Sequence, residues 1–468
     1  MVFRAGGLEM KTIILAGGTG SRLWPLSRKR FPKQFVRIQN KETSLFQDTF
    51  LRAHKLSPVE DIYVVTNQDY QFIVKGEIQA LGLAVHEGNI LIEPEAKNTL
   101  PAIYAAVHEI NQRASGPMIV LPSDHAIADE SAFVKNVQAA KVLTTQAIVT
   151  FGIEPTHPNT GYGYIEPGQP FEIGYQVASF KEKPSYAVAK EYIKQGFYWN
   201  AGIFLFDTAW FAEEVKTHAS DIYEAFASTT NLVDAFGKIE RKISIDYGIM
   251  EKTASVAVVP LRIGWNDLGT FDAFYDYLDK DEHGNVLSGD VLTYASKNNL
   301  IEQEQQKLVA LIGMEDTLII DNRDALLVCK RDYSQHVKEI VTMLEDRNDL
   351  RSEYHVQDYR PWGHCKVLEE QPSSFKVKRI LVAPGKKLSY QMHHHRSEHW
   401  VVVKGTAKVT IDDAIYMVPE GESIYIKKTQ KHRLENPGHE DVEIVEVQLG
   451  NYLEEDDIIR FDDDFGRQ

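Results

Sequence analysis

Hydrophobic positions follow two rhythms along this chain. Up to about residue 280, short apolar runs alternate with longer amphipathic stretches. TIILAGG (12–18), DIYVVTN (61–67), MIVLPSD (118–124) and AIVTFGI (147–153) read as buried strands that close on small or polar residues. Between them, LFQDTFLRAHKL (45–56) and TLPAIYAAVHEINQRA (99–114) place apolar residues at helical spacing. Strands alternating with helices predict an α/β domain whose mainly parallel sheet is covered on both faces. Ligands of such sheets sit beyond the carboxyl ends of the strands. A turn at Asp281–Asn285 ends this rhythm, and residues 289–330 give short β-like runs with almost no helical period. A helix is predicted over 334–350, and Arg360-Pro361-Trp362-Gly363 opens a third section. From 375 to 449, strand-like runs recur with turn residues between them, the pattern of an all-β sandwich or barrel. The acidic stretch 454–464 reads as a solvated end, and no internal repeat stands out.

Composition narrows what such a chain does. At roughly 100–200 residues per domain, 468 residues hold more than one core. With 43% hydrophobic and 25% charged residues, disorder and collagen-like repeats are excluded. The 51 Lys and Arg against 67 Asp and Glu leave a net charge of −16. That argues against nucleic acid or an acidic membrane as a partner. An acidic protein that handles phosphates must instead gather its cations in one place. Cys329 and Cys365, the only cysteines, exclude a disulfide scaffold, a CxxC pair and a thiolate zinc site. Residues 1–11 lack the apolar core of a signal peptide, and no run approaches the ~18 apolar residues of a membrane span. A soluble, cytoplasmic protein is expected, with residues 1–9 a dispensable extension before the first strand.

The cations gather directly after the first strand, in LAGGTGSRLWPLSRKRFPKQF. This is neither a dinucleotide fingerprint, since Leu23 stands where the last glycine would be, nor a P-loop, since no Gly-Lys-Ser/Thr follows. It offers Gly17, Gly18 and Gly20, whose backbone can approach a ligand closely, followed by Arg22, Arg28, Arg30 and Lys33. Backbone N–H groups beside clustered cations suit a polyphosphate. The stretch resembles the signature of the sugar-nucleotide pyrophosphorylases, GGxGxRLxPL followed by Pro-Lys, and most closely that of the mannose-1-phosphate guanylyltransferases. EPEAKNTLPAI (93–103), LPSDH (121–125), GYGYI (161–165), FKEKP (180–184), WNAGIF (199–204) and GWNDLGT (264–270) follow in that family's order.

Joining a sugar phosphate to a nucleoside triphosphate asks a protein chiefly to hold two anions together and neutralise them. A hard divalent ion, usually Mg²⁺, takes one or two carboxylates plus phosphate oxygens. The resemblance implies that Asp124 and Asp267 hold it and that Arg22 and Lys33 compensate the triphosphate. It also puts Lys183 near the sugar phosphate, and Glu182, Asn200 and the Gly163 backbone at the sugar. Asn98 falls with the nucleotide- and substrate-binding residues. The guanine preference rests on likeness alone; no base-reading pattern is legible in the sequence.

A second dense signal is GKKLSYQMHHHRSEHWVVVKG (385–405) with GESIYIKKTQKHRLEN (421–436). Cupin spacing from Gly385 lands on Gln391, His393, Glu398 and Gly405, and from Gly421 on His432 and Asn436. Lys427 and Thr429 replace the second motif's Pro and inner Gly, so the turn before His432 is expected to be shaped differently. One Gln, two His and one Glu suit Zn²⁺ or another divalent transition metal. Strand alternation offers His393, His395 and His399 as a rival triplet. The string Gln391-x-His393-x-x-Arg396-x-Glu398-His399-Trp400 resembles the signature of type II phosphomannose isomerases. Together the motifs resemble bifunctional phosphomannose isomerase/mannose-1-phosphate guanylyltransferases over nearly the whole chain after residue 10. Arg396 and Arg433 are candidate phosphate or enediolate partners there, Arg433 being grouped with the catalytic residues.

The resemblance implies a Rossmann-like nucleotidyltransferase domain of mixed, mainly parallel sheet (10–283). A small β-rich linker domain ending in a helix (284–350) and a cupin barrel (351–468) follow it. The expected substrates are GTP and mannose 1-phosphate at the first site, and mannose 6-phosphate and fructose 6-phosphate at the second. A homo-oligomer is the fold-level analogy. Three rivals stand beside this reading. One is a guanylyltransferase with a structural or regulatory cupin; another is a non-catalytic sugar-nucleotide sensor. The third is a transferase for another nucleotide or hexose.

Overall fold

The computed structural model describes residues 10–462 apart from 19, 40, 305 and 306. The chain divides into two compact units, Met1–Ser352 and Glu353–Gln468. Residues 1–9, read above as an extension, lie outside the described residues. No helix among the described residues is long and apolar enough to cross a membrane.

In the first unit the predicted apolar runs form strands Lys11–Leu15, Ile62–Asn67, Pro117–Pro122 and Ile148–Ile153. Lys11–Leu15 lies between Ile62–Asn67 and Pro117–Pro122, parallel to both, and Ile90–Glu93 adds a parallel edge. Strand Tyr198–Asp207 then enters the middle of the nine-stranded sheet, antiparallel to Pro117–Pro122 and to Ile148–Ile153. Beyond it lie Val256–Leu261 and the hairpin Tyr164–Phe171/Gly174–Lys181. The sheet is therefore mixed. Tyr198–Asp207 begins in the WNAGIF motif and alternates buried with half-buried positions before a fully buried stretch. The amphipathic stretches give helices Leu45–His54 and Thr99–Asn111. Ser44 caps the first reciprocally with Gln47, and Leu100, Ile103 and Val107 of the second are buried in the sheet's core. The carboxyl ends of Lys11–Leu15, Ile90–Glu93 and Pro117–Pro122 deliver the glycine loop, Glu93 and Asp124 to one edge, where parallel strands present ligand sites.

The β-rich stretch after residue 285 is a short parallel β-helix packed within the same unit. Val286–Leu287, Leu300–Gln303 and Thr317–Asp321 stack in parallel, as do Val291–Tyr294 and Val309–Ile312. Asn299 takes the Asn285 Oδ1 on its N–H at 3.0 Å, and Thr317 N–H donates to Asn299 Oδ1 at 3.0 Å. The chain thus contains a structural repeat that is not visible as a repeat in the sequence. Its rungs are unevenly spaced, and little besides Asn285 and Asn299 recurs, so periodicity does not reveal it.

The second unit is all antiparallel. A six-stranded sheet, from Gln357–Arg360 to Ser423–Ile426, faces a five-stranded sheet. Trp362, Trp400, Val409 and Leu434 are among the residues of its apolar core. The motif glycines Gly385, Gly405 and Gly421 have φ of 68°, 77° and 85°, a region side chains seldom enter. Thr429, where the cupin pattern has glycine, takes φ 67° as well. Its N–H donates to the His393 carbonyl at 2.8 Å, so the turn before His432 keeps a glycine-like shape despite the substitution. The acidic stretch is not a solvated end: Ile458–Asp462 is a strand paired with Tyr390–His393. Buried cations draw it in. Lys378 pairs with Glu455 at 2.7 Å, and Arg396 donates to the Glu454 carbonyl at 3.2 Å. Asp463 and Asp464 fall outside the described residues.

Candidate active sites

A cleft of about 440 Å³ opens at the carboxyl edge of the first sheet. Gly17, Gly18, Asn98, Gly163, Glu182, Asn200 and Asp267 line it, as the sequence reading gathered them. A Cβ on Gly18 would meet none of the described residues within 4 Å. Gly20 is required twice over: its φ is 58°, and a Cβ would stand 2.5 Å from Lys33 Cβ. At Gly163 a Cβ would come within 2.6 Å of Glu182 Oε2. Lys33 is buried and pairs with Asp124 at 2.8 Å while donating to the Asp267 carbonyl. Burial alone would raise the Asp124 carboxyl, but Lys33 and His125 outweigh it and hold the pKa below its usual value. The Asp267 carboxylate accepts from Tyr162 Oη at 2.6 Å and from Gly269 N–H at 3.1 Å. Two carboxylates, one kept ionised against burial, make a donor set that suits a hard divalent cation.

The sugar side of the cleft is a chain of polar contacts. Asn200 Oδ1 accepts from Thr150 Oγ1 at 2.9 Å, and Asn200 Nδ2 donates to Asp246 at 3.0 Å. Burial, then the nearby Glu182, push the Asp246 carboxyl up to about 6. Lys183 pairs with Glu182 at 2.7 Å. Burial would lower the Lys183 ammonium, but Glu182 raises it further. Asn98 caps helix Thr99–Asn111 with φ 74°, its Oδ1 taking the Thr99 N–H at 2.8 Å. Arg22 is exposed in a 3₁₀ turn beside the glycines. Arg28, grouped with it in the sequence, is buried and pairs with Asp324 at 2.9 Å, away from the cations around the cleft.

In the second unit His393, Glu398 and His432 place one ligand atom each within 4.8 Å of one another. They are 2%, 1% and 1% exposed. His432 Nδ1 lies 3.0 Å from the Gln430 carbonyl, which sets that nitrogen as the donor and leaves the buried Nε2, without a hydrogen-bond partner among the described residues, free to ligate. Burial would raise Glu398; both imidazoles overcome it and hold the carboxylate well below its usual value. Burial keeps His393 low, hence neutral and able to ligate. Two imidazoles and a carboxylate fit a divalent transition metal. Gln391 sits opposite His432 in the sheet, its Oε1 accepting from Ser389. The rival triplet is not assembled. The strand ends at His393, which breaks the alternation; His395 binds Asp457 at 2.8 Å and His399 stacks on Tyr425. Arg396 turns inward, 3.1 Å from Glu398 Oε1. Arg433, one residue after His432 on its strand, points to the other face and pairs with Asp462 at 2.5 Å.

Residues 11–284 match the model of the nucleotidyl transferase family. The chain belongs to that family. Residues 346–463 match the mannose-6-phosphate isomerase C-terminal family, and 289–344 the MannoseP isomerase/GMP-like beta-helix domain. The likeness extends to whole chains. The xanthan biosynthesis protein XanB of Xanthomonas campestris pv. campestris (strain B100) is 43% identical over 98% of this chain and 99% of its own. The alginate biosynthesis protein AlgA of Pseudomonas syringae pv. tomato is 42% identical over 98% and 97%. A Klebsiella pneumoniae protein named mannose-1-phosphate guanylyltransferase is 41% identical over 97% and 99%. Among solved structures, that of a Thermus thermophilus protein described as mannose-1-phosphate geranyltransferase aligns with TM-score 0.66 and 32% identity. It covers 72% of this chain and all of that one.

Several residues of the nucleotidyltransferase cleft escaped the sequence reading. Tyr162, His125 and Glu93 stand inside motifs quoted for other residues, and Trp265 donates to His125 Nδ1 at 3.3 Å. Asp246 and Thr150 carry no motif signal at all. Glu93 is 8% exposed, and its Oε1 has no hydrogen-bond partner among the described residues. Burial pushes its carboxyl up to about 7.

Proposed function

We propose that this enzyme transfers GMP from GTP to mannose 1-phosphate, forming GDP-mannose and pyrophosphate, and that its second unit interconverts mannose 6-phosphate and fructose 6-phosphate. The observation that carries the transferase half is one cleft lined by the open glycine backbone, Asp267 and the polar chain from Glu182 to Asp246, with Lys33 joining Asp267 to Asp124. A phosphate oxygen of mannose 1-phosphate attacks the α-phosphorus, and the α–β bridging bond breaks in line to release pyrophosphate. Gly17, Gly18 and Arg22 would hold the triphosphate, and Lys33 would neutralise charge as the bond breaks. Glu182, Asn200 and the Gly163 backbone would hold the sugar, with Lys183 on its phosphate. Mg²⁺, held by Asp124 and Asp267, would supply the remaining positive charge on the phosphates. The names of relatives point the product toward polysaccharide synthesis.

Glu93 supplies a reason for choosing guanine. A carboxylate with an unpartnered oxygen accepts in parallel from the N1–H and 2-amino group of guanine, and adenine offers no such pair. Its raised pKa gives a sign. At pH 6 the group is mostly protonated and meets guanine N1–H with another donor. Above about 7 it is the acceptor the base needs. The value of kcat/KM for GTP should therefore rise with pH through about 7. In Glu93→Gln that step should vanish, GTP kcat/KM should fall about a hundredfold, and the preference for GTP over ITP should collapse. Steady-state pyrophosphate release across pH 5.5–8.5 reads all three. A variant that still prefers GTP, with the pH step intact, sinks this role.

For the isomerase, Zn²⁺ or another divalent transition metal held by His393, Glu398 and His432, with Gln391 beside them, would stabilise the enediolate formed between C1 and C2. Lys378 and Arg396 are buried cations suited to the sugar phosphate. Glu455 and the Glu454 carbonyl occupy them here, so substrate would displace the 453–462 segment. The burial of the metal triad favours one second reading, a guanylyltransferase whose cupin is structural or regulatory.

A further inference from the structure

Part of the signature loop's charge is buried and paired. Arg28 is 2% exposed, and its guanidinium donates to Asp324 Oδ1 at 2.9 Å and to the Pro25 carbonyl. Asn322 Nδ2 reaches the same Pro25 carbonyl at 2.8 Å. Asn322 and Asp324 lie in the turn of the antiparallel hairpin that the last parallel β-helix strand, Thr317–Asp321, makes with Leu326–Lys330. The fastening continues along the loop: Trp24 Nε1 donates to the Arg351 carbonyl at 3.0 Å, and Gln39 N–H to Glu302 at 3.2 Å.

The pinned turn touches the phosphate side of the loop through one residue. Ser27, between Pro25 and Arg28, donates its Oγ to the Gly20 carbonyl at 2.7 Å. Gly20 is the residue whose missing side chain lets it lie against Lys33. Lys33 in turn joins Asp124 to the Asp267 carbonyl. A continuous run therefore leads from the β-helix turn through Pro25, Ser27 and Gly20 to the cation between the two aspartates. A guanidinium cannot shed its proton when buried, so Arg28 needs Asp324 wherever it is enclosed. That demand fixes where the Pro25–Arg28 turn sits.

We propose that Asn322 and Asp324 are positioning residues for nucleotidyl transfer, which makes the β-helix turn part of the triphosphate site rather than of a linker. The proposal rests on the reading of residues 17–33 as the triphosphate cradle. Loop segments hold reacting groups only as well as their supports do, and small misplacements cost large factors in rate. The support acts on the triphosphate side of the cleft, while the sugar side is built from Glu182, Asn200 and Asp246. GTP and mannose 1-phosphate should therefore respond differently.

The test is steady-state pyrophosphate release by the full chain, varying each substrate in turn, with melting temperature recorded for every variant. Asn322→Ala and Asp324→Asn are the informative pair, since the amide oxygen in the second still accepts from Arg28 and keeps the chain foldable. Asp324→Ala is the severe version, and Arg22→Ala reports on the cradle itself. Asn322→Ala is expected to raise KM for GTP fivefold or more and leave KM for mannose 1-phosphate within twofold. Asp324→Asn should do the same more mildly than Asp324→Ala, if the latter folds. A smaller rise for folded Asn322→Ala, or an equal rise for both substrates that tracks lost melting temperature, overturns the proposal. If Arg22→Ala also leaves KM for GTP unchanged, the cradle reading has failed. If Arg22→Ala raises it and Asn322→Ala does not, only the positioning role has failed.

Discussion

Lys33→Ala should lower pyrophosphate release by about a thousandfold in a chain that still folds. Lys33 touches both aspartate segments, through the Asp124 carboxylate at 2.8 Å and the Asp267 carbonyl. Its removal has two consequences of the same sign. The charge developing on the departing pyrophosphate loses a preorganised ammonium, an interaction typically worth 10²–10³ in rate. Asp124 also loses the first of the charges that hold its pKa down against burial. A neutral Asp124 would bind a divalent cation poorly, so extra Mg²⁺ should restore only part of the loss. Lys33→Arg keeps the charge but not the compact geometry beneath Gly20, and should fall between wild type and alanine. Single-turnover measurements with GTP and mannose 1-phosphate separate a slow chemical step from weak binding. Turnover of Lys33→Ala within tenfold of wild type would remove Lys33 from the chemistry.

The second large effect is confined to the other unit. Glu398→Gln keeps the shape of the side chain but withdraws the charge that both imidazoles face, His393 Nε2 at 3.2 Å and His432 Nε2 at 3.4 Å. Metal bound per dialysed chain should drop at least tenfold, and isomerase turnover about a thousandfold. Pyrophosphate release should stay unchanged, because the transferase residues belong to a different compact unit. Arg396 also loses its carboxylate partner, so a melting curve accompanies the metal analysis. Full metal content in folded Glu398→Gln would contradict the assignment of the triad.

What the sequence disclosed follows from what each feature needs. Buried parallel strands announce themselves as apolar runs, and the glycines at 20 and 163 mark places where a side chain would collide with Lys33 and Glu182. Cupin spacing located His393, Glu398 and His432, which the structure brings within 4.8 Å of one another, because side chains that converge on one point must sit at set distances along the chain. Strand Tyr198–Asp207 was hidden because the WNAGIF motif lies inside it, and its antiparallel placement depends on partners far away in sequence. Arg28 was misread because a buried arginine and a phosphate-binding one look alike until Asp324, almost three hundred positions on, is seen beside it. The acidic tail was misread for the same reason: its partners Lys378 and Arg396 sit on other strands. Glu93 and Asp246 gain their unusual pKa values from burial, which no local pattern encodes.

The central claim is that one chain carries two chemistries. Its most direct test is conversion of mannose 6-phosphate to fructose 6-phosphate by pure protein, stripped of metal and then supplied with Zn²⁺, Co²⁺ or Mg²⁺. Pyrophosphate release from GTP and mannose 1-phosphate is followed on the same samples. The account predicts isomerase turnover that is lost on stripping and restored by a transition metal. Absence of isomerisation with every metal, beside intact pyrophosphate release, would contradict it and leave a guanylyltransferase whose cupin does not catalyse.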